Sequence, residues 1–172
     1  MIEIRTEKPE DIPFIRHVHQ QAFQPRLNEA RLVELLRQAN KMSLSWVALA
    51  QGQVVGHVLF SPISFVPDQP AIHGLGLAPM AVLPEFQKRG IGGKLIVQGL
   101  QACRQSGCDL VVVLGDPHYY SRFGFSRAKN YQLENEYDAD EEFMVIELRA
   151  GALGGVTRLV KYQPEFKEAE RS

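Results

Sequence analysis

The stretch that most constrains the fold runs from Leu75 to Leu114. It opens with an apolar segment, Leu75–Val82, bordered or interrupted by Gly74, Gly76 and Pro79, which reads as a strand that a bulge can bend. A basic, glycine-rich turn follows, then a helix over Gly92–Gln105 with Leu95, Ile96, Gly99, Leu100 and Cys103 on one face. Gly107 stands just past its end, where a left-handed cap belongs. The segment closes on Leu110-Val-Val-Val-Leu114, a run with no polar alternation, as in strands buried on both faces of a parallel sheet. A strand, a helix and a second strand in this order form a parallel pair with a right-handed crossover.

The flanking sequence is of a different kind. Ile2–Arg5 alternates as a strand, and Pro9-Glu10-Asp11 reads as a helix start, with Ile12, Ile15, Val18 and Ala22 at helical spacing. Pro13 is late for that start and argues for a shifted one, and Pro25 ends the helix. Asn28 is placed to cap a second helix whose inner face is Leu32, Leu35, Leu36 and Ala39. Trp46–Ala50 and Val54–Phe60 flank Gln51-Gly52-Gln53 as a hairpin, and Pro62, Pro67 and Pro70 mark an irregular stretch. A short helix is expected around Pro117–Phe123, an acid-rich loop over Asn130–Glu142, and strands at Phe143–Leu148 and Val156–Tyr162. The fold class is therefore α/β of the mixed α+β kind: a mostly antiparallel central sheet, one parallel strand pair, and helices on both faces.

At 172 residues, with no repeat, linker or low-complexity tract, the expectation is one domain over 1–172. The net charge of −1 leaves no basic field to recruit nucleic acid. No window approaches the roughly 20 apolar residues of a membrane span, and the charged start Met1-Ile-Glu-Ile-Arg-Thr-Glu7 does not resemble a signal peptide, so a cytoplasmic protein is expected. Cys103 and Cys108 read as reduced thiols, and no metal site is expected from two cysteines without a His pair at finger spacing.

Chemistry concentrates in Met80-Ala-Val-Leu-Pro-Glu-Phe-Gln-Lys-Arg-Gly-Ile-Gly-Gly-Lys-Leu95. Glycines let a backbone approach a ligand, and the helix start supplies free N–H groups and positive partial charge, a site for phosphate or pyrophosphate. Lys88, Arg89 and Lys94 add cations. A Walker A loop needs Gly at 88 and Ser or Thr at 95, where Lys88 and Leu95 stand. A dinucleotide fingerprint starting at Gly90 also fails at Leu95 and lacks a well-placed acidic ribose ligand. A third pattern, Gln/Arg-x-x-Gly-x-Gly/Ala opening a helix after a strand, is met in full by Gln87-Lys88-Arg89-Gly90-Ile91-Gly92. The plain alternative is a turn and helix cap without a ligand.

Val82-Leu-Pro-Glu-Phe-Gln-Lys-Arg-Gly-Ile-Gly92 resembles the coenzyme-A-binding motif of the GNAT acetyltransferase superfamily. Gly115-Asp-Pro-His-Tyr-Tyr-Ser-Arg-Phe-Gly-Phe125 is similar to the family's second acetyl-CoA segment, through its Tyr-x-x-x-Gly-Phe core. The Gly-Asp-Pro-x-Tyr-Tyr variant resembles a subgroup of bacterial acetyltransferases. By element order the likeness covers about residues 2–148, and it is specific over about 80–125.

The resemblance implies an acetyl-CoA-dependent N-acetyltransferase in which the parallel strands splay to admit the pantetheine arm. Backbone groups of Met80, Ala81 and Val82 would hold the arm, and amides of Gln87, Lys88, Arg89, Gly90, Ile91, Gly92 and Gly93, with Lys94, the pyrophosphate. Tyr120 would protonate the departing thiolate, with Tyr119 as the adjacent fallback or a coenzyme contact, and the Val82 N–H would stabilise the oxyanion. The base stays open among His73, Glu85, His118 and ordered water, and Asp116 reads better as a helix cap. Phe14, Phe23 and Leu36 would border an acceptor that is a small-molecule or peptide amine. The acids of Asn130–Glu142 form either a rim that attracts a cationic acceptor or a solvated loop. A homodimer is the default for small enzymes of this kind. The competing functional reading is a non-catalytic acyl-CoA-binding sensor; an NAD-binding domain would need a longer parallel sheet than this sequence offers.

Overall fold

The computed structural model describes residues 1–154 and 158–171. Its first half runs β1 (Ile2–Thr6), α1 (Ile12–Ala22), α2 (Asn28–Gln38), β2 (Leu44–Ala50), β3 (Gln53–Pro62), β4 (Ser64–Val66) and β5 (Gly74–Val82). Next come α3 (Ile91–Gln105), β6 (Leu110–Leu114), α4 (Pro117–Ser121), β7 (Ser126–Arg127), β8 (Leu133–Asn135), β9 (Phe143–Glu147), β10 (Arg158–Lys161) and α5 (Glu165–Glu170). Two compact units emerge: one holds Met1–Phe60, Ala78–Gly99 and the chain from Pro164, the other Ser61–Leu77 and Leu100–Gln163.

In the first unit the strand order is β1-β2-β3-β5. β1 pairs antiparallel with β2 from Ile2↔Ala50 to Thr6↔Trp46, and β2 with β3 from Leu44↔Phe60 to Ala50↔Gln53. The hairpin loop is Gln51-Gly52, both left-handed at φ 50 and 80, the shape that matches the strands' twist. Pro9–Asp11 forms a 3₁₀ turn rather than the first turn of α1, and Pro13 takes the second position of the α-helix, where its missing N–H costs no helical bond. Asp11 is buried and fastens this entry: it accepts from the Lys8 N–H at 2.7 Å and from the Arg5 guanidinium at 2.7 and 3.1 Å. Asn28 is the first helical residue of α2, not its cap; Leu27 holds the cap position without a side-chain bond. Leu32, Val33 and Leu36 face the core, whereas Ala39 lies past the last turn and is exposed. The core joins Ile15, Val18, Leu36, Val47, Leu59 and Ala81 to Ala169 of α5, a helix the sequence reading does not contain. Lys41 ties to Glu165 of α5 at 2.8 Å.

The second unit has strand order β5-β6-β9-β7. The parallel ladder comprises Gly74↔Leu110, Leu75↔Val111 and Gly76↔Val112, then ends, although both strands continue. β6 pairs antiparallel with β9 from Leu110↔Glu147 to Leu114↔Phe143. α3 closes as a Schellman motif: Gly107 at φ 84, its N–H on the Arg104 carbonyl at 3.2 Å, and the Cys108 N–H on the Cys103 carbonyl at 3.0 Å. Both cysteines are free, buried thiols.

A second sheet, β4-β10-β8, departs from the sequence reading. The last strand was expected over Val156–Tyr162; it spans Arg158–Lys161, pairing antiparallel with β4 and parallel with β8, and residues 156 and 157 lie outside the described residues. The acid-rich stretch over 130–142 is accordingly not all loop: it holds the end of a 3₁₀ turn, Ala128–Tyr131, and strand β8.

Candidate active site

The glycine-rich turn lies in the first unit. Past Val82 the chain makes one 3₁₀ turn at Pro84–Phe86, and the Gln87 side chain reaches back to donate from Nε2 to the Val82 carbonyl at 2.9 Å. Gln87 is therefore a brace of the strand end as well as part of the loop. Lys88 and Gly90 are left-handed, at φ 64 and 79, a conformation that costs a non-glycine residue about 1–2 kcal/mol. A Cβ at Gly90 would meet nothing within 4 Å, so the turn is open there.

Ile91 and Leu95 are fully buried and seat the start of α3. A Cβ on Gly56 would lie 3.2 Å from Leu95 and 3.4 Å from the Ala81 carbonyl, so helix and sheet approach closely beneath the turn. The Lys94 N–H makes the first helical bond, to the Gly90 carbonyl at 3.1 Å; amides before it have no partner four residues back within the helix. Lys88, Arg89 and Lys94 are exposed, and the Arg89 guanidinium lies 5.2 Å from the Phe86 ring centroid. Free amides, helix dipole and three cations around an open turn fit an anion of the pyrophosphate kind. The unit thus brings together Met80, Ala81 and Val82 on one strand and Gln87 to Lys94 on the turn and helix. Ala81 and Ile91 point their side chains into the interior, leaving only backbone for a ligand, while Met80, Val82, Gly92 and Gly93 are half-buried.

The two tyrosines lie in the second unit. Asp116 accepts from the His118 N–H at 3.0 Å, the cap expected of it, and opens α4. Tyr120 is buried, edge-on to Tyr119 at 5.1 Å and to Phe125 at 5.7 Å. Its ring lies over Gly115, where a Cβ would come 2.3 Å from Cε2; any larger residue there displaces the tyrosine. Burial, and secondarily Tyr119, pushes the Tyr120 phenol up to about 12, so it is protonated across the neutral range. Tyr119 is half-buried under the Arg122 guanidinium at 4.7 Å, and burial raises its phenol as well.

His73, Glu85 and His118 are all exposed. The sequence reading missed a buried chain in the first unit: His19 Nε2 lies 2.8 Å from His57 Nδ1, His57 Nε2 lies 2.8 Å from Ser45 Oγ, and Ser45 donates to Glu7 at 2.7 Å. Arg37 pairs with Glu7 at its outer end. Among the described residues, no group of three or more His, Cys, Asp or Glu side chains is arranged to hold a metal.

A mixed sheet with one short parallel ladder, followed by an open glycine-rich turn at a helix start, is the architecture of an α/β protein that can accept an anionic ligand. The chain belongs to the Acetyltransferase (GNAT) family, whose profile matches residues 12–125. It is 38% identical over 165 residues to a protein of Escherichia coli K12 named "Uncharacterized N-acetyltransferase YhbS", covering 95% of this chain and 97% of that one. A crystal structure of E. coli YhbS in complex with CoA superposes with a TM-score of 0.90 at 37% identity, covering 96% of this chain and 92% of the other. A GNAT family acetyltransferase from Brucella melitensis, in complex with acetyl-CoA, gives 0.80 at 35% identity, covering 96% and 98%.

Proposed function

We propose that this protein is an acetyl-CoA-dependent N-acetyltransferase that moves the acetyl group to a primary amine by direct attack on the thioester, with residues 1–172 acting as one domain. The observation that carries this reading is the pair of relatives whose structures hold CoA and acetyl-CoA, each matched over 96% of this chain. In this reading the backbone of Met80, Ala81 and Val82 holds the pantetheine arm. The amides of Lys88 to Gly93 and the cations Lys88, Arg89 and Lys94 hold the pyrophosphate; the Gln87 N–H, also expected there, is taken by the Pro84 carbonyl at 3.3 Å. The neutral acceptor nitrogen attacks the carbonyl carbon, the Val82 N–H receives the developing oxyanion, the carbon–sulfur bond breaks, and one of His73, Glu85, His118 or ordered water takes the nitrogen's proton. Tyr120 then gives its phenolic proton to the coenzyme's sulfur. A free thiol titrates near 8.5, below a phenol near 12, but a dry environment that raises the phenol raises the thiolate's basicity too, which narrows the gap.

Thermal unfolding with acetyl-CoA, free CoA and NAD tests the coenzyme. Ligand at about 100 times its dissociation constant adds roughly 2.7 kcal/mol, a shift of about 5–10 °C for a chain of this size. Stabilisation by both coenzyme A forms and not by NAD is expected; no shift with any of them sinks the reading. Tyr120→Phe then separates enzyme from sensor: a fall in transfer rate at unchanged coenzyme affinity is expected, and a protein that binds acetyl-CoA but transfers to no amine is a sensor.

A further inference from the structure

The second sheet of the second unit carries polar groups that the proposed chemistry does not use. Its register sets Arg158 opposite Leu133, and Val160 opposite both Asn135 and Phe65. Directly opposed residues share a face, so Leu133, Asn135, Arg158, Val160 and Phe65 form one side. The alternate side, Leu159, Lys161, Glu134, Ser64 and Val66, is exposed or half-exposed. The first side is the interior one, and it contains an arginine.

Arg158 is 6% exposed. With the Gln69 amide turned so that its oxygen faces the guanidinium, Nη2 donates to it at 2.9 Å. Nε is buried without a partner, and among the described residues no carboxylate pairs with this side chain. On the same face, opposite Val160 two positions along, Asn135 accepts at Oδ1 from the Tyr137 and Ala139 N–H groups at 2.8 and 3.1 Å. Those two bonds fix the amide's orientation, and they leave Nδ2 as a second buried donor without a partner. Buried charges are ordinarily paired, and an uncompensated one is among the costlier features a fold can carry. Two unfilled donors on one interior face, one of them a guanidinium, match the two oxygens of a carboxylate.

The same alternation along β10 continues to Tyr162, which is buried against Gly76: a Cβ there would lie 2.6 Å from Tyr162 Cε1. Gly76 is the last β5 residue of the parallel ladder. The face that carries the donors therefore leads, through Tyr162, toward the point where β5 and β6 stop pairing, the gap that the proposed reading gives to the pantetheine arm. We infer that Arg158, with Asn135 on the same face, binds the carboxylate of the amine acceptor, so that the substrate class is amino-carboxylates rather than simple amines. This rests on the acetyltransferase reading for the identity of the ligand's other end.

The test compares glycine, β-alanine, γ-aminobutyrate and L-lysine with methylamine, ethylamine, propylamine and cadaverine, their decarboxylated counterparts, following release of the coenzyme thiol. A charged, bidentate contact is expected to give at least one acid a 10- to 100-fold higher kcat/KM than its matched amine. Arg158→Met should erase that preference through KM while leaving the acetyl-CoA thermal shift intact. Arg158→Lys, a cation without the fork, should restore only part of it. Asn135→Asp keeps both backbone acceptances but replaces the donor with an anion, and should raise KM for the acids. Arg158→Met should also melt no lower than the wild type, since it removes a buried charge that no carboxylate among the described residues pairs; a structural arginine would melt lower when lost. Equal use of acids and amines, a preference that survives Arg158→Met, or turnover of neither by a protein that binds acetyl-CoA overturns the inference. If acetyl-CoA gives no shift at all, the acetyltransferase reading fails first, and calorimetric binding of the same acids to the free protein decides: binding lost in Arg158→Met supports the site, and no binding overturns it.

Discussion

The buried histidine pair makes stability depend steeply on mild acid. His19 and His57 are both 0% exposed and touch through one ring-to-ring hydrogen bond. Their surroundings are apolar apart from Ser45, Glu7 and Arg37 at the His57 end. Burial holds His57 down to about 3, with Arg37 adding to the effect, and burial followed by the proximity of His57 holds His19 well below 6.5. His57 is neutral in the folded protein at pH 5 and His19 is shifted in the same direction, while in the unfolded chain each binds a proton below about 6.5. The unfolded state then carries more protons, so stability falls as pH drops from about 6.5, and it is fully present above that value. At pH 5 the neutral His57 ring alone costs about 2 kcal/mol relative to pH 7.5, and His19, shifted the same way, adds to that loss, against a typical total of about 5–15 kcal/mol. Asp11, Asp109 and Glu165, whose carboxyls are depressed in the fold, withdraw their contribution only as pH falls through their lower folded-state values, so they leave this window clear. Urea unfolding at pH 7.5 and 5.0 measures the difference, expected as a drop of at least about 1 M in midpoint. A His19→Leu/His57→Leu variant should lose most of the pH dependence whatever its absolute stability. An equal slope in wild type and variant refutes the argument.

Three further outcomes follow from close approaches and from the turn. Gly99→Ala places a methyl 2.4 Å from the ring of fully buried Phe60, so overpacking should cost about 1–3 kcal/mol, read as a fall of several degrees in Tm. Gly115→Ala displaces Tyr120, where a Cβ stands 2.3 Å from its ring; the transfer rate should fall at least tenfold with acetyl-CoA affinity unchanged, and an unaltered rate would remove Tyr120 from the mechanism. Gly92→Glu sets an anion at the helix start and should abolish coenzyme binding at unchanged circular dichroism; retained affinity would take the pyrophosphate away from this turn.

What the sequence disclosed follows the range of its signals. The strand–helix–strand unit was legible because each part is announced within a few residues: an unbroken apolar run at Leu110–Leu114, a helical face at Leu95 to Cys103, glycines where the chain must turn left-handed. The second sheet was not, because β4, β8 and β10 are three or four residues long, too short for a period to show. β8 and β10 pair in parallel across positions 133 and 158, so nothing in either segment alone points to the other.

The same reasoning divides the site. The turn at Gln87–Gly93 could be read because anion binding by a backbone depends on residue types in sequence order. The role of Gly115 could not, since what requires a glycine there is a ring five residues on, folded back over it. Arg158 escaped for a related reason. Its alternation with Val160 and Tyr162 marks an interior face only once the register with Leu133 and Asn135 is known. A buried arginine and a surface arginine are the same letter; burial, and the absence of a paired carboxylate among the described residues, belong to the fold. The two features proposed to meet the acceptor and the thiolate, the donor face of β10 and the seated Tyr120, are therefore set by long-range packing, while the turn proposed for the coenzyme is set locally. A shared coenzyme is thus visible in sequence long before an individual acceptor is.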